Sequence, residues 1–203
     1  MQATDLLMDE HRTIKRVLRM LQQAAREIQN GKHYPPAMFE QAVDFLRTFA
    51  DRCHHLKEQD ILFQEMEKMG IPVQGGPLGV MLKEHDQGRA LVKGMAEAIP
   101  GYRRGDAQAT KTLADNARSF ANLLSAHIDK EDNILYPMAN LHLENEDQES
   151  LLARFEAKEK EMGEGVHERY RHVVEELEVQ VLGQTQAGGR EEHSHHLHRR
   201  SAV

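Results

Sequence analysis

The stretch Cys53-His54-His55-Leu56-Lys57-Glu58 decides the fold, because it places metal-binding groups where a helix would otherwise bury apolar ones. A second stretch, His127-Ile128-Asp129-Lys130-Glu131, repeats its spacing of a histidine and a glutamate four residues apart. On an α-helix, residues i and i+4 lie on one face, one turn apart. Each stretch can therefore direct an imidazole and a carboxylate at a common point. Two such stretches facing each other would form a metal-binding box inside a helix bundle.

The composition favours an all-α fold. The 203 residues are 39% hydrophobic and 29% charged, contain no tryptophan, and are rich in residue types that form helices. The net charge of −7 argues against nucleic acid as a partner, because phosphate binding requires a basic surface. The chain shows neither the basic start of a signal peptide nor an apolar run long enough to cross a membrane. Its one cysteine, Cys53, suits a reducing compartment, so we interpret the protein as cytoplasmic, with no membrane partner.

Apolar residues recur at three- and four-residue spacing in four segments that have the length of helices. The segments start near Thr4, Pro36, Leu78 and Asp106, and they end near Asn30, before Gly70, at Pro100 and, with a kink or an end, at Pro137. Because the connections between them are short, neighbouring helices are expected to be antiparallel. The sequence therefore predicts an up-down-up-down four-helix bundle over residues 1–142.

A polar break interrupts the apolar face of each predicted helix. The breaks are His11 early in the first helix, His54 late in the second, His85 early in the third and His127 late in the fourth. In an antiparallel bundle, early and late positions of successive helices share one level. The four histidines, together with Glu58 and Glu131, are therefore expected to meet inside the bundle.

The rest of the chain is expected to add to this bundle. Residues 143–182 carry an apolar stripe and are predicted to form a helical extension packed on the bundle, with a bend or break at Gly163 and Gly165. Residues 183–203 are rich in histidine and glycine, and we expect them to form a disordered tail.

Two carboxylates inside a helix bundle need a compensating charge, because burying them alone would be very costly. One possibility is a polar network around Arg89, which follows His85 by one turn. The other is metal, and imidazole with carboxylate suits iron, zinc, manganese or copper. The six candidate groups exceed the four ligands of a single tetrahedral ion, and a carboxylate can bridge two ions. The pattern therefore indicates a dinuclear centre, with iron as the favoured metal.

The ordered set of a helix-one histidine, an HxxxE, a helix-three histidine and a second HxxxE resembles the hemerythrin-like, or HHE cation-binding, family. The similar stretches are residues 49–58, 75–85 and 127–137, and residues 162–170 resemble a segment of longer members. The resemblance implies a non-haem di-iron site, bridged by an oxo or hydroxo group and two carboxylates. Carried over to this chain, the terminal ligands would be His11, His54, His85 and His127, and the bridges would be Glu58 and Glu131.

This chain departs from the family pattern at one ligand position. Family members that carry oxygen have a second histidine one turn after the helix-three histidine, where this chain has Arg89. The departure argues against reversible oxygen carriage. Possible replacements are His167, His55, Glu84 or water. We include His167 among the expected metal ligands, because Glu164 precedes it by three residues on the added helix.

Two other residues are candidates for this centre. His55 lies about 100° around a helix from His54, so it is expected to face a neighbouring element or solvent. Asp132 is an alternative to Glu131 as the second bridge, because some family members place the carboxylate one residue later.

These observations favour a di-iron protein that binds or senses a small ligand, such as oxygen, peroxide or nitric oxide. An iron-responsive interaction or regulatory module is the alternative, because metal-coupled ordering suits so polar a core. A di-iron oxidase or peroxidase-type enzyme ranks lower, because such sites use several Glu-x-x-His pairs and this chain has a single credible one, Glu164 and His167. The sequence indicates no particular protein partner.

Overall fold

The computed structural model describes residues 1–183, which form six helices joined by short connections. Helix α1 is Ala3–Gln29, α2 covers residues 36–68, α3 is Pro77–Arg103, α4 covers residues 107–142, α5 is Asn145–Met162 and α6 is Val166–Leu182. None of these helices combines the length and the apolarity that crossing a membrane requires. The predicted disordered tail lies, from residue 184 onward, outside the described residues.

Local sequence signals explain where the helices begin. Pro36 and Pro77 stand in the first turns of α2 and α3, where the missing N–H of proline has no helical partner to lose. The carboxylate of Asp5 accepts a hydrogen bond from the Gln2 backbone N–H at 2.8 Å at the start of α1. Asp106 caps α4 by accepting from the Ala109 N–H at 3.0 Å.

The predicted end of the third helix at Pro100 was wrong, and of the two outcomes predicted at Pro137 the structure excludes a helix end. Helix α3 runs through Pro100 to Arg103, and α4 continues past Pro137 to His142. In α4, a π-helical turn at Glu131–Leu135 comes before the α-helical turns of Tyr136–His142. This change of hydrogen-bond register places Pro137 in a new first turn, where proline is tolerated.

Helices α1 to α4 form the all-α bundle that the sequence predicts, with α3 packed on α4, α4 on α1, and α2 on α3. The added segment consists of two helices, and both α5 and α6 pack against α1 and α2. They are separated at Gly163 and Gly165, whose φ angles are +101° and +73°. Because side-chain-bearing residues rarely adopt such angles, the glycines predicted to break this segment do so.

The core consists of two apolar clusters with a polar layer between them. One cluster includes Ile14, Ala50, Val92 and Leu124, and the other includes Leu7, Ile61, Met81 and Leu135. On each bundle helix, the polar break found in the sequence lies between a residue of one cluster and a residue of the other. The apolar clusters thus fix the depth at which the four polar faces meet. Helix α6 contributes to the first cluster and α5 to the second.

Candidate metal centre

The polar layer brings together the six bundle residues that the sequence singles out, and it adds a seventh, His55. We call this set the central cluster: His11, His54, His55, Glu58, His85, His127 and Glu131. Each of these side chains is buried, and only His55 exceeds 1% exposure, at 5%. Seven polar side chains at one depth in a helix bundle require strong mutual compensation or a bound cation.

The backbone of α2 and α4 changes its hydrogen bonding at the level of the central cluster. Leu46–His55 and Glu58–Leu62 of α2, and Glu131–Leu135 of α4, are π-helical, with i→i+5 hydrogen bonds. This wider turn reduces the angle between successive side chains. The neighbours His54 and His55 therefore both reach the interior, on either side of Glu58.

Each carboxylate of the central cluster lies between two imidazoles. The Oε2 atom of Glu58 is 3.7 Å from His54 Nε2 and 3.4 Å from His85 Nε2. The two oxygens of Glu131 point to different histidines, with Oε2 at 3.3 Å from His11 Nε2 and Oε1 at 3.0 Å from His127 Nε2. Both glutamates thus stand where a bridge between two ions would stand.

The ligand atoms fall into two groups that share one carboxylate. His11, His54, Glu58 and Glu131 form one group, and His55, Glu58, His85 and His127 form the other. Within each group, one ligand atom from every residue lies within 4.8 Å of the others. Each of the two groups could hold a cation.

Each histidine of the central cluster turns its Nδ1 atom away from the centre toward an oxygen acceptor. The pairs are His11–Asp132 at 2.6 Å, His54–Glu10 at 2.8 Å, His127–Glu84 at 2.8 Å, His55–Asp51 at 3.4 Å and His85–Gln59 at 3.4 Å. Histidines that bind metal typically use one nitrogen in this way, because the outer hydrogen bond fixes the ring and its tautomer. The Nε2 atoms remain for the centre.

Each of the four outer carboxylates is in turn paired with a basic side chain. Lys57 pairs with Glu10, Lys15 with Asp132, Lys130 with Glu84 and Arg89 with Asp51. Arg89 also donates to Gln59 at 3.1 Å. The arginine that replaces the expected helix-three histidine therefore holds the two acceptors that orient His55 and His85.

Four buried polar atoms of the central cluster make no hydrogen bond within the described chain. They are His54 Nε2, Glu58 Oε2 and both carboxylate oxygens of Glu131. The surrounding imidazole nitrogens lie at ion-pair distance but are not directed along hydrogen bonds. A buried polar atom without a partner costs about 1–3 kcal/mol, and more when the group is charged. These atoms all face the space between the imidazoles, so the residues fit a cation there.

The charges of the central cluster favour a cation. Burial alone would lower the pKa of His11, but its hydrogen bond to Asp132 and the nearby charge of Glu131 raise its pKa to about 9. Burial likewise opposes the charged form of His127, but the charge of Glu131 raises the pKa of His127 to about 9. The two buried carboxylates therefore create a field that draws positive charge to the centre.

Two buried groups at this centre were missed or misjudged from the sequence. The Tyr136 hydroxyl donates to Glu58 Oε1, and its ring stacks on His11 with centroids 5.5 Å apart. Tyr136 directly follows the π-helical turn Glu131–Leu135, so an α-helical period counted from Glu131 does not predict that its side chain faces inward. His55 stacks on His85 at 4.1 Å between ring centroids. Burial and the nearby charge of His85 lower its pKa well below the ordinary value, so His55 is neutral, the form that binds metal.

The other candidates lie outside the central cluster. His167, which the sequence favoured for the place left by Arg89, contacts Cys53 and Glu159 instead, so His55 rather than His167 stands beside His85. Asp132 and Glu84 contact histidines of the cluster from outside, through the Nδ1 atoms.

A cavity of about 180 Å³ reaches the central cluster from one side. Its walls include His55 and His85, apolar side chains such as Val92 and Phe120, and the charged side chains of Arg47 and Asp51. Arg89 also contributes to its wall. The cavity therefore gives a small molecule space next to two of the candidate ligands.

Comparison with known proteins finds a family model that matches the part of the chain containing this site. A family model described as Hemerythrin HHE cation binding domain matches residues 2–139, which contain the whole central cluster. The chain is also similar to the uncharacterized protein Mb2018 of Mycobacterium bovis and to the uncharacterized proteins MT2051 and Rv1995 of Mycobacterium tuberculosis. Each is 24% identical over 135 residues, or 66% of this chain and 52% of the relative. The chain thus spans about half the length of these curated relatives, and no solved structure matches it.

Proposed function

Because the chain belongs to the hemerythrin HHE cation-binding family, we propose that it is a non-haem di-iron protein that binds or senses a small ligand. The ligand class is oxygen, peroxide or nitric oxide. Cation binding is the property that the family's domain is described by, and the buried histidines and glutamates of the central cluster can hold a metal. The number of ions, their identity and the ligand are the parts that we propose.

One observation carries the proposal of two ions. The four buried polar atoms without hydrogen bonds belong to His54, Glu58 and Glu131, and they face the space between the imidazoles. These three residues belong to one of the two groups of ligand atoms, so an ion there would pair them. The other group, with His55, His85 and His127 around Glu58, would supply the ligands of a second ion.

The ligand assignment follows from the two groups of atoms. His11 and His54 would hold one ion, and His55, His85 and His127 would hold the other. Glu58 and Glu131 would be shared between them, since each contacts histidines of both groups. Imidazole and carboxylate ligands without a thiolate suit iron, and the outer acceptors on Nδ1 keep the rings oriented toward the ions.

The chain's own residues would control access to the ions. A bound iron pair supplies redox-active, Lewis-acidic centres that small oxygen or nitrogen ligands bind. The 180 Å³ cavity beside His55 and His85, whose walls combine apolar side chains with Asp51 and Arg89, would admit a small molecule to the centre. Tyr136, which donates to Glu58, would hold that carboxylate in place at the other side of the centre.

Metal content and spectra of the purified protein test this proposal. Protein from iron-supplemented growth should contain iron at a ratio near that of a dinuclear site, with absorption that changes on reduction, on oxidation by air and on nitric oxide treatment. Glu58→Gln should lose iron. Glu65→Gln is the matched control on the same helix, because Glu65 pairs with Lys68 and Arg154 away from the centre. An iron-free wild-type protein, or Glu58→Gln with the iron content of the wild type, would contradict the proposal.

A series of contacts from His54 to α5 favours a second candidate, an iron-responsive interaction module. Glu10 accepts from His54 with one oxygen and from Lys57 with the other, and Lys57 also donates to Glu159 of α5. Iron binding at His54 would therefore change how firmly Lys57 holds Glu159 of α5. Hydrogen exchange of α5 and α6 with and without iron tests this, and equal exchange in both states would exclude it.

A further inference from the structure

A second group of potential metal ligands lies where α5 and α6 meet the bundle. We call it the thiol cluster: Glu10 of α1, Cys53 of α2, Glu159 of α5 and His167 of α6. One ligand atom from each residue lies within 4.8 Å of the others. The cluster is separate from the central cluster, and its link to it is Glu10, whose Oε2 accepts from His54 Nδ1 at 2.8 Å.

The spacing of these atoms matches the ligand shell of one tetrahedral ion. Bonds of about 2.3 Å to sulfur and about 2.0–2.2 Å to nitrogen or oxygen place neighbouring ligand atoms about 3.4–3.6 Å apart. The His167 Nε2 atom is 3.7 Å from Cys53 Sγ, 3.5 Å from Glu10 Oε1 and 3.3 Å from Glu159 Oε1. A single small cation at the middle of these atoms would require little movement of the backbone.

From this geometry we infer that the thiol cluster is a mononuclear site for a divalent transition-metal ion such as zinc. The thiolate and the imidazole select such an ion over calcium or magnesium, which prefer shells of oxygen alone. The site goes beyond the proposed di-iron function, because it uses none of the residues of the central cluster and lies partly outside the region of the family match.

The charges of the thiol cluster are also balanced when a divalent ion is bound and His167 is neutral. The two glutamates and a Cys53 thiolate carry three negative charges, and a divalent ion with the ammonium of Lys57 carries three positive ones. Lys57 donates to Glu10 and Glu159, and a carboxylate oxygen has lone pairs for both a hydrogen bond and a metal. The ammonium can therefore remain beside the ion as a hydrogen-bond donor.

The cluster has access to solvent through α5 and α6. Cys53 and Glu10 are buried, whereas Glu159 and His167 are partly exposed and line a surface depression next to Gly163 and Gly165. An ion can therefore enter from the side of His167. Since its four ligands come from four different helices, the bound ion would fasten α5 and α6 to the bundle.

Cobalt titration tests the site through a signal that only this cluster can produce. Cys53 is the only cysteine of the chain, so a thiolate-to-cobalt charge-transfer band cannot come from the central cluster or from the histidines beyond residue 183. We expect wild-type protein to show this band with one equivalent of Co²⁺ and Zn²⁺ to abolish it. The readout does not depend on iron, so its failure is distinguishable from failure of the di-iron proposal.

Three variants complete the experiment. Cys53→Ser should lose the band, and His167→Ala should bind cobalt at least about tenfold more weakly, since even outer partners of a metal site cost about 10–100-fold. His172→Ala is the matched control, because His172 is an exposed histidine of the same helix, and it should behave as the wild type. Circular dichroism checks that each variant is folded. Absence of the band in the wild type, or a band of equal affinity in His167→Ala, would overturn the inference.

Discussion

Replacing Lys57 with methionine tests whether the buried charges around the central cluster are as tightly balanced as the contacts indicate. The Lys57 side chain is 0% exposed, and its ammonium donates to Glu10, which is 3% exposed, and to Glu159 at 2.7 Å. Without the ammonium, the Glu10 carboxylate stays buried and keeps only imidazole partners, His54 Nδ1 at 2.8 Å and His167 Nε2 at 3.5 Å. Removing one partner of a buried ion pair costs about 3–5 kcal/mol. For a chain of this size, about 2–4 °C per kcal/mol predicts a melting temperature lower by about 6–20 °C.

The assay is urea and thermal unfolding of the iron-free protein, followed by far-ultraviolet circular dichroism. Lys68→Met is the control on the same helix, because its ammonium pairs with Glu65 while 69% exposed, and it should cost less than about 1 kcal/mol. The double variant Lys57→Met/Glu10→Gln should recover most of the lost stability, because it removes both charges together.

Two results would refute this reasoning. Lys57→Met could lose no more stability than Lys68→Met, which would mean that water reaches Glu10. Alternatively, the double variant could be no more stable than the single one, which would assign the loss to packing of the lysine stem rather than to the charge of Glu10.

Three further predictions follow from the same contacts. His55→Ala should reduce the iron bound per chain by about half, because it removes a ligand of one of the two proposed ions, and losing even an outer partner of a metal ligand costs about 10–100-fold in affinity. His167→Ala should leave the iron content unchanged. Atomic emission measures both. Glu131→Gln should destabilise the iron-free protein by about 3–5 kcal/mol, because it leaves the charged imidazoles of His11 and His127 buried without this partner. It should also abolish the stabilisation by iron, which is about 2.7 kcal/mol per site at a hundredfold excess over the dissociation constant; thermal melts with and without iron measure both. Gly101→Ala should lower the free energy of unfolding by about 1–3 kcal/mol in urea titrations, because its Cβ would lie 2.4 Å from the Ala109 Cβ where α3 meets α4.

The sequence predicted the helical bundle and the meeting of its polar positions, because both depend on periodicity and on the alternation of chain direction. His11 and His85 interrupt apolar seams early in their helices, and His54 and His127 do so late. Antiparallel packing then leaves only one level at which all four can meet. The apolar neighbours on either side, such as Leu7 and Ile14 around His11, enforce that level in the structure.

The position of His55 could not be predicted from an α-helical period. With about 100° between neighbours, His54 and His55 cannot both face one centre. The π-helical hydrogen bonds of α2 reduce that angle, and no residue of the stretch signals them. The same change of register in α4 explains why Pro137 does not end that helix.

The acids that accept from the histidine Nδ1 atoms could not be predicted from the sequence pattern either. Glu10 stands beside a polar break and reads as an ordinary solvent-facing acid, whereas the sequence indicated Glu84 and Asp132 only as metal ligands. Their role depends on the rotation of each helix about its own axis, which brings an acid of one helix to the Nδ1 atom of a histidine on another. Single-helix periodicity carries no information about such pairs.

Around the central cluster, three buried imidazoles each contact an acidic side chain, and each of these acids contacts a basic side chain near the protein surface. Lys15, Lys130 and Arg89 are each about one-third exposed, and each neutralises an acid that touches a buried imidazole. Acetylation of either lysine would leave its acid uncompensated and make the electrostatic potential at the centre more negative. A covalent change on the outer surface would thus stabilise the more oxidised form of ions bound inside, with every ligand still in place.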